Sequence, residues 1–124
     1  MKKTIKLQFD MAPLFENVIV TALEGGSNYW CDIHDQFPDT PKGYAPAQRL
    51  ALSLVNNPKF KVDVFDAETD EKLGELTQAA MLKGLQLAVD TYPHALFAML
   101  TEDYDAETTD IILQLAVLGE VVYG

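Results

Sequence analysis

Residues 60–77 read FKVDVFDAETDEKLGELT, and this stretch decides the fold class. Phe60, Val62 and Val64 recur at every second position, the period of a strand with one buried face. Asp66-Ala67-Glu68-Thr69-Asp70-Glu71 is a polar turn, and Lys72 to Leu76 returns as a short partner strand. The segment is therefore a β-hairpin with a charged tip. Thr77 then stands as an N-cap, and Ala80, Met81, Leu85, Ala88 and Val89 follow at helical spacing. A hairpin that hands over directly to a helix points to a small antiparallel sheet covered by helices.

Downstream of this core the chain is helical. The first of these helices must end before Pro93, because the residue preceding proline avoids helical geometry. Pro93 can itself open a helix over His94 to Thr101. Asp105 caps a last helix with Glu107 and Asp110 near its start, where carboxylates suit the positive end of the helix dipole. Ile111, Ile112, Leu115, Ala116 and Leu118 are its expected buried positions, and Gly119 ends it. The apolar tail Val121-Val122-Tyr123 is expected to pack on the domain. Were the tail exposed, it would suit a two-fold interface and an oligomer.

Upstream, Thr4 to Phe9 alternates polar and apolar and reads as a strand. Asp10 stands as the cap of a helix carrying Leu14, Phe15, Val18, Ile19, Ala22 and Leu23, which should stop at Gly25-Gly26. Asn28 to His34 reads as another strand, with Tyr29, Cys31 and Ile33 on one face and Asn28, Trp30, Asp32 and His34 on the other. A proline-rich loop from Asp35 to Pro46 and a short helix from Ala47 to Val55 complete the order. The expected fold is α+β, with about three to four antiparallel strands packed against several helices concentrated in the C-terminal half.

The length of 124 residues fits one domain, residues 1–124, able to bury a core without staples. A single cysteine, Cys31, rules out an intrachain disulfide and suits a reducing compartment. No apolar run reaches the ~18 residues of a membrane span, so a cytoplasmic protein is expected. The formal net charge is −10, and no Lys or Arg follows Lys83. Such a surface repels phosphate backbones, which makes nucleic acid an unfavourable partner.

Chemistry-bearing residues concentrate in Glu24-Gly25-Gly26-Ser27-Asn28-Tyr29-Trp30-Cys31-Asp32-Ile33-His34. Glycines there could admit a ligand close to the backbone while Tyr29 and Trp30 stack on it. The plainer reading is a helix end running into a strand, with Trp30 anchoring the core. Asp32 and His34 would share a strand face, but a zinc site needs a third protein ligand that the neighbourhood does not offer. Cys31 would point away from His34, so a thiol nucleophile would need a base from elsewhere, such as His94. The acidic hairpin tip fails as a calcium loop, because its sixth and twelfth positions hold Glu71 and Thr77. No cofactor is expected, since the chain has no phosphate-binding glycine loop and no zinc-finger cysteine pairs.

Two stretches resemble motifs of a known group. Glu24-Gly25-Gly26-Ser27-Asn28-Tyr29-Trp30 is similar to a motif near the front of small uncharacterised proteins encoded by tailed phages and prophages. Asp105-Ala106-Glu107-Thr108-Thr109-Asp110, with Leu113-Gln114 and Gly119 to Gly124, is similar to their close. Val62-Asp63-Val64 and Leu76-Thr77 fit between them. The resemblance implies a phage or prophage setting and hence the host-cell cytoplasm, but no activity. It makes Gly25, Gly26, Asn28, Tyr29, Trp30, Asp105, Thr108 and Asp110 the candidate binding residues of one shared site. The leading expectation is a non-enzymatic module that binds a host or phage protein. The alternatives are a small-molecule or nucleotide-binding module built on Gly25 to Trp30, and a small enzyme using Asp32, His34 or Cys31.

Overall fold

A computed structural model describes residues 1–3 and 8–124. The expected strand over Thr4 to Phe9 lies largely outside the described residues; Gln8 and Phe9 are exposed and belong to no strand.

The hairpin forms as its alternation requires. Strand β2 (Lys61–Asp66) pairs antiparallel with β3 (Lys72–Thr77), with Val62 opposite Leu76 and Val64 opposite Gly74. Val62, Val64 and Leu76 are fully buried. The register slips between Val64 and Phe65, so the hairpin bends as it approaches its tip. A two-residue strand β1 (Cys31–Asp32) adds antiparallel to the free edge of β2, giving the order β1-β2-β3.

The described residues also form five helices, three of them in the C-terminal half. Helix α1 (Met11–Thr21) starts where Asp10 accepts a hydrogen bond from the Ala12 amide. It widens into a π-turn over Ala22–Gly26, where the Ser27 amide donates to the Ala22 carbonyl five residues back, and ends at the glycine pair. Helix α2 (Pro46–Asn56) opens with proline at its first position, and the Gln48 side chain accepts from the Ala45 amide. Helix α3 (Gln78–Thr91) is capped by the Thr77 hydroxyl, which accepts from the Ala80 amide at 3.0 Å. Pro93 opens α4 (Pro93–Leu100). Asp105 caps α5 (Ala106–Leu118), and Gly119 ends it at φ 79°, in the left-handed region that glycine enters without steric cost.

One apolar cluster joins the helices to the sheet, with Phe15, Ile19, Leu50, Leu54, Met81 and Ile112 at its centre. Helix α5 runs through the middle of the packing, and two glycines let it do so. A Cβ on Gly84 of α3 would lie 2.7 Å from the Ala116 amide nitrogen, and one on Gly74 of β3 would lie 2.8 Å from the Val117 carbonyl oxygen. Backbones meet there at distances no side chain would permit.

Three expectations need correction. The strand over Asn28 to His34 shrinks to Cys31–Asp32, because the Ser27 carbonyl accepts from both the Trp30 and Cys31 amides and winds Ser27–Trp30 into a turn. The alternation is broken as a result: Trp30 and Cys31 are neighbours and both are buried, while Tyr29 faces outward. Val89 is exposed, because α3 turns its Met81–Gly84–Leu85–Ala88 stripe inward. On α5, Ile111 and Leu118 are only half-buried, and the buried set instead includes Thr109, Asp110 and Gln114. No helix among the described residues is long and apolar enough to cross a membrane.

Candidate functional site

The two motif regions meet. Gly26 is a point of close approach: a Cβ there would stand 3.0 Å from the Ala106 carbonyl oxygen, at the first turn of α5. Bringing the helix in this close sets Asp110 directly against the Ser27–Trp30 turn.

Asp110 is the hub. It is only 7% exposed, and both carboxyl oxygens are saturated. Oδ1 accepts from Ser27 Oγ at 2.7 Å and from Trp30 Nε1 at 2.7 Å. Oδ2 accepts from Tyr29 Oη at 2.5 Å and from Gln114 Nε2 at 3.0 Å. Every hydrogen bond is received, the pattern of an ionised carboxylate. All four donors are neutral, and no cation pairs with Asp110 among the described residues. Hydrogen bonds alone offset the cost of taking this group out of water.

Gln114, one turn along α5, extends the network to the tail. Its Nε2 also donates to the Tyr123 carbonyl at 3.0 Å, while its Oε1 accepts from the Val122 and Tyr123 amides at 2.8 and 2.9 Å. The tail is thus pinned as expected, and the Tyr123 ring stacks on Trp30 with centroids 5.5 Å apart and planes inclined by 10°. Tyr123 closes over the indole, which is 2% exposed and is not an open stacking platform.

Tyr29 is the outward-facing member, 51% exposed. Burial of its hydroxyl end, together with the hydrogen bond and negative charge of Asp110, pushes its ionisation up to about 12. It therefore stays a proton donor to Asp110 throughout the physiological range. Beside it opens a cleft of about 430 Å³. Tyr29, Tyr92, Tyr123, Glu107, Asp110 and Gln114 line it, with Gly26, Ala106, Ile111, Val121 and Gly124 completing its walls.

The remaining expected residues lie elsewhere. Trp30 belongs to the interior beneath the cleft. A Cβ on Gly25 would face open space. Asn28 borders a separate hollow with Cys31, Asp32 and His34. Asp105 and Thr108 serve α5 itself: the Thr108 amide and hydroxyl both donate to Asp105 Oδ1 at 2.9 Å. Those bonds hold the Asp105 carboxyl below the usual carboxylate range. Gln114 was not foreseen as a site residue. Its signal was its position four residues after Asp110, which places both on one side of the helix.

The Cys31, Asp32 and His34 group does not assemble around the thiol. Cys31 is 5% exposed, and burial pushes its thiol up to about 12, with the nearby Asp32 and Asp110 charges adding to the effect. His34 instead reaches the hairpin tip, with Nε2 2.9 Å from Asp70 Oδ1 and Nδ1 3.7 Å from Asp32 Oδ2. Its ring lies tilted against Phe65 at 4.4 Å. No cluster of three metal-ligating side chains occurs among the described residues.

Fold and site together define a small α+β domain whose most unusual feature is a buried carboxylate hub beneath a tyrosine-lined cleft. Comparison with protein-family models, with curated proteins and with solved structures found no match.

Proposed function

We propose that this chain is a non-enzymatic protein-binding module whose recognition surface is the cleft beside Tyr29. One observation carries the reading. The reactive-looking polar groups of the Ser27–Trp30 motif are spent on one another around Asp110, and their joint effect is to hold a half-exposed tyrosine in a fixed place. A tyrosine locked by its own hydroxyl offers a large contact face at little entropic cost, the property that enriches this residue at interfaces. In the phage or prophage setting that the motifs imply, the partner is a host or phage protein.

The test is site-specific photo-crosslinking. A benzophenone amino acid replaces Val122, which is 57% exposed beside the cleft, or Glu71 at the hairpin tip as a control. In bacterial lysate, the Val122 probe should give a discrete protein adduct that the Glu71 probe does not. Excess unlabelled parent protein should suppress it, and excess Tyr29→Ala protein should not. Identical adducts from both probes, or equal competition by Tyr29→Ala, would overturn the assignment.

A small-molecule ligand is the second reading, favoured by the cleft volume of about 430 Å³, which is within the usual range for such sites. It is distinguished by saturable binding of a purified metabolite at the cleft with no protein adduct.

A further inference from the structure

We infer that the cleft beside Tyr29 is a cation site, and that its occupant is the guanidinium of an arginine side chain presented by the partner protein; this rests on the binding-module reading above. Three features of the cleft converge on that chemistry.

The first is charge. Glu107 and Asp110 both line the cleft, and among the described residues no Lys, Arg or His does. Asp110 is nearly buried and is held only by neutral donors, so its charge meets no counter-charge among the described residues. An anion left uncompensated beneath an open cleft attracts a cation and repels a phosphate or carboxylate. The −10 net charge of the chain acts in the same direction at longer range, drawing a basic partner toward the surface.

The second is the aromatic lining. Tyr29, Tyr92 and Tyr123 all line the cleft, Tyr123 with one ring face already stacked on Trp30. Ring faces are electron-rich and attract a cation placed over them. Glu107 supplies free carboxylate oxygens, Asp110 supplies charge from below, and the tyrosines supply aromatic surface, all of which suit a positive group.

The third feature separates arginine from lysine. Guanidinium is planar, stacks on aromatic faces and is weakly hydrated, whereas ammonium is a compact and strongly hydrated point charge. A site walled by rings, with few polar atoms to replace lost water, favours the planar ion. Glu107, in the exposed first turn of α5, is placed to receive its N–H groups.

The test uses short capped glycine peptides carrying a central arginine, lysine or citrulline, titrated into the labelled full-length chain and followed by amide NMR shifts. Citrulline keeps the shape of arginine and removes its charge. The arginine peptide should shift the Tyr29, Glu107 and Tyr123 amides saturably. The citrulline peptide should bind about tenfold more weakly, as loss of a cation–π and charge contribution of this kind predicts, and the lysine peptide should fall between. Glu107→Gln, which lies outside the Asp110 network, should weaken the arginine peptide severalfold, and Glu71→Gln should not. Equal binding of arginine and citrulline, or equal loss in Glu107→Gln and Glu71→Gln, would overturn the cation assignment. The two proposals fail separately. A competed Val122 adduct without arginine selectivity leaves a binding module with a different contact. Arginine-selective binding with no adduct upholds the chemistry of the cleft and overturns the protein source of the guanidinium.

Discussion

Replacing Asp110 should be the most damaging single change to the motif region, and its size follows from which donors it strands. In Asp110→Ala the hydroxyl of Ser27 and the indole N–H of Trp30 lose their acceptor. Both residues are buried, at 0% and 2% exposure. Each stranded buried donor costs about 1–3 kcal/mol. Tyr29 is half exposed and can turn to water, and Gln114 keeps the Tyr123 carbonyl, so neither adds much. Relief from burying a charge offsets part of the loss. The expected cost is about 2–5 kcal/mol, the sum for two stranded buried donors less that relief. Asp110→Asn is gentler. Its carbonyl oxygen can keep Ser27 and Trp30, but its amide then faces the Gln114 amide, donor against donor. The Tyr29 hydroxyl can reverse and accept, so the cost is about 2 kcal/mol. Urea unfolding followed by fluorescence of the single tryptophan, which sits in the network itself, measures both. The unfolding slope should stay constant while the midpoint falls. An Asn variant within ~0.5 kcal/mol of the parent, or an Ala variant no worse than the Asn variant, would refute the assignment of Asp110 as the hub.

Other expectations concern packing and ionisation. Gly84→Ala should destabilise by about 1–3 kcal/mol despite the better helix propensity of alanine, because the new methyl meets the α5 backbone at 2.7 Å; a higher urea midpoint would contradict the close approach. Cys31 should resist an aromatic disulfide reagent at about pH 8 in the native protein and react rapidly once unfolded, since its thiol is pushed up to about 12; fast native labelling would show the thiol is open. The Tyr29 ionisation lies at about 12 in the fold against 10.0 ordinarily, so the protonated form is the one the fold favours. Its contribution is complete below about pH 10 and is lost as pH rises through about 12. Unfolding midpoints across that window should fall less steeply in Tyr29→Phe than in the parent.

Local signals in the sequence reached the fold directly. Asp10, Thr77 and Asp105 cap the helices they were read to cap, Pro93 and Gly119 mark the boundaries they should, and the hairpin forms on its valine alternation. Each of these is decided within a few residues, so tertiary context had little to override. The errors fall where distant segments meet. Asn28 to His34 reads as extended because it alternates, but the Ser27–Trp30 turn places Trp30 against an acceptor 80 positions away. Asp110 looked like one more acid serving a helix dipole, and nothing local distinguishes it from the exposed Glu107. The clue lay in counting donors, because a buried tryptophan and serine need acceptors and the apolar residues around them supply none. Gly84 and Gly74 were equally silent, since a glycine chosen for a close approach leaves no periodic trace.

The network around Asp110 also has a bearing on how the chain matures. Ser27 and Asp110 are 83 positions apart, and closing a loop of that span costs roughly 4 kcal/mol of chain entropy before any bond repays it. Contacts of such range slow folding. During synthesis the early part of the chain emerges first, so the indole of Trp30 has neither its acceptor nor its covering ring until α5 and the tail have left the ribosome. A nascent chain halted before Asp110 carries an indole with neither its acceptor nor its covering ring. Emergence of α5 and the tail is thus what lets the Trp30 indole be both hydrogen-bonded and covered.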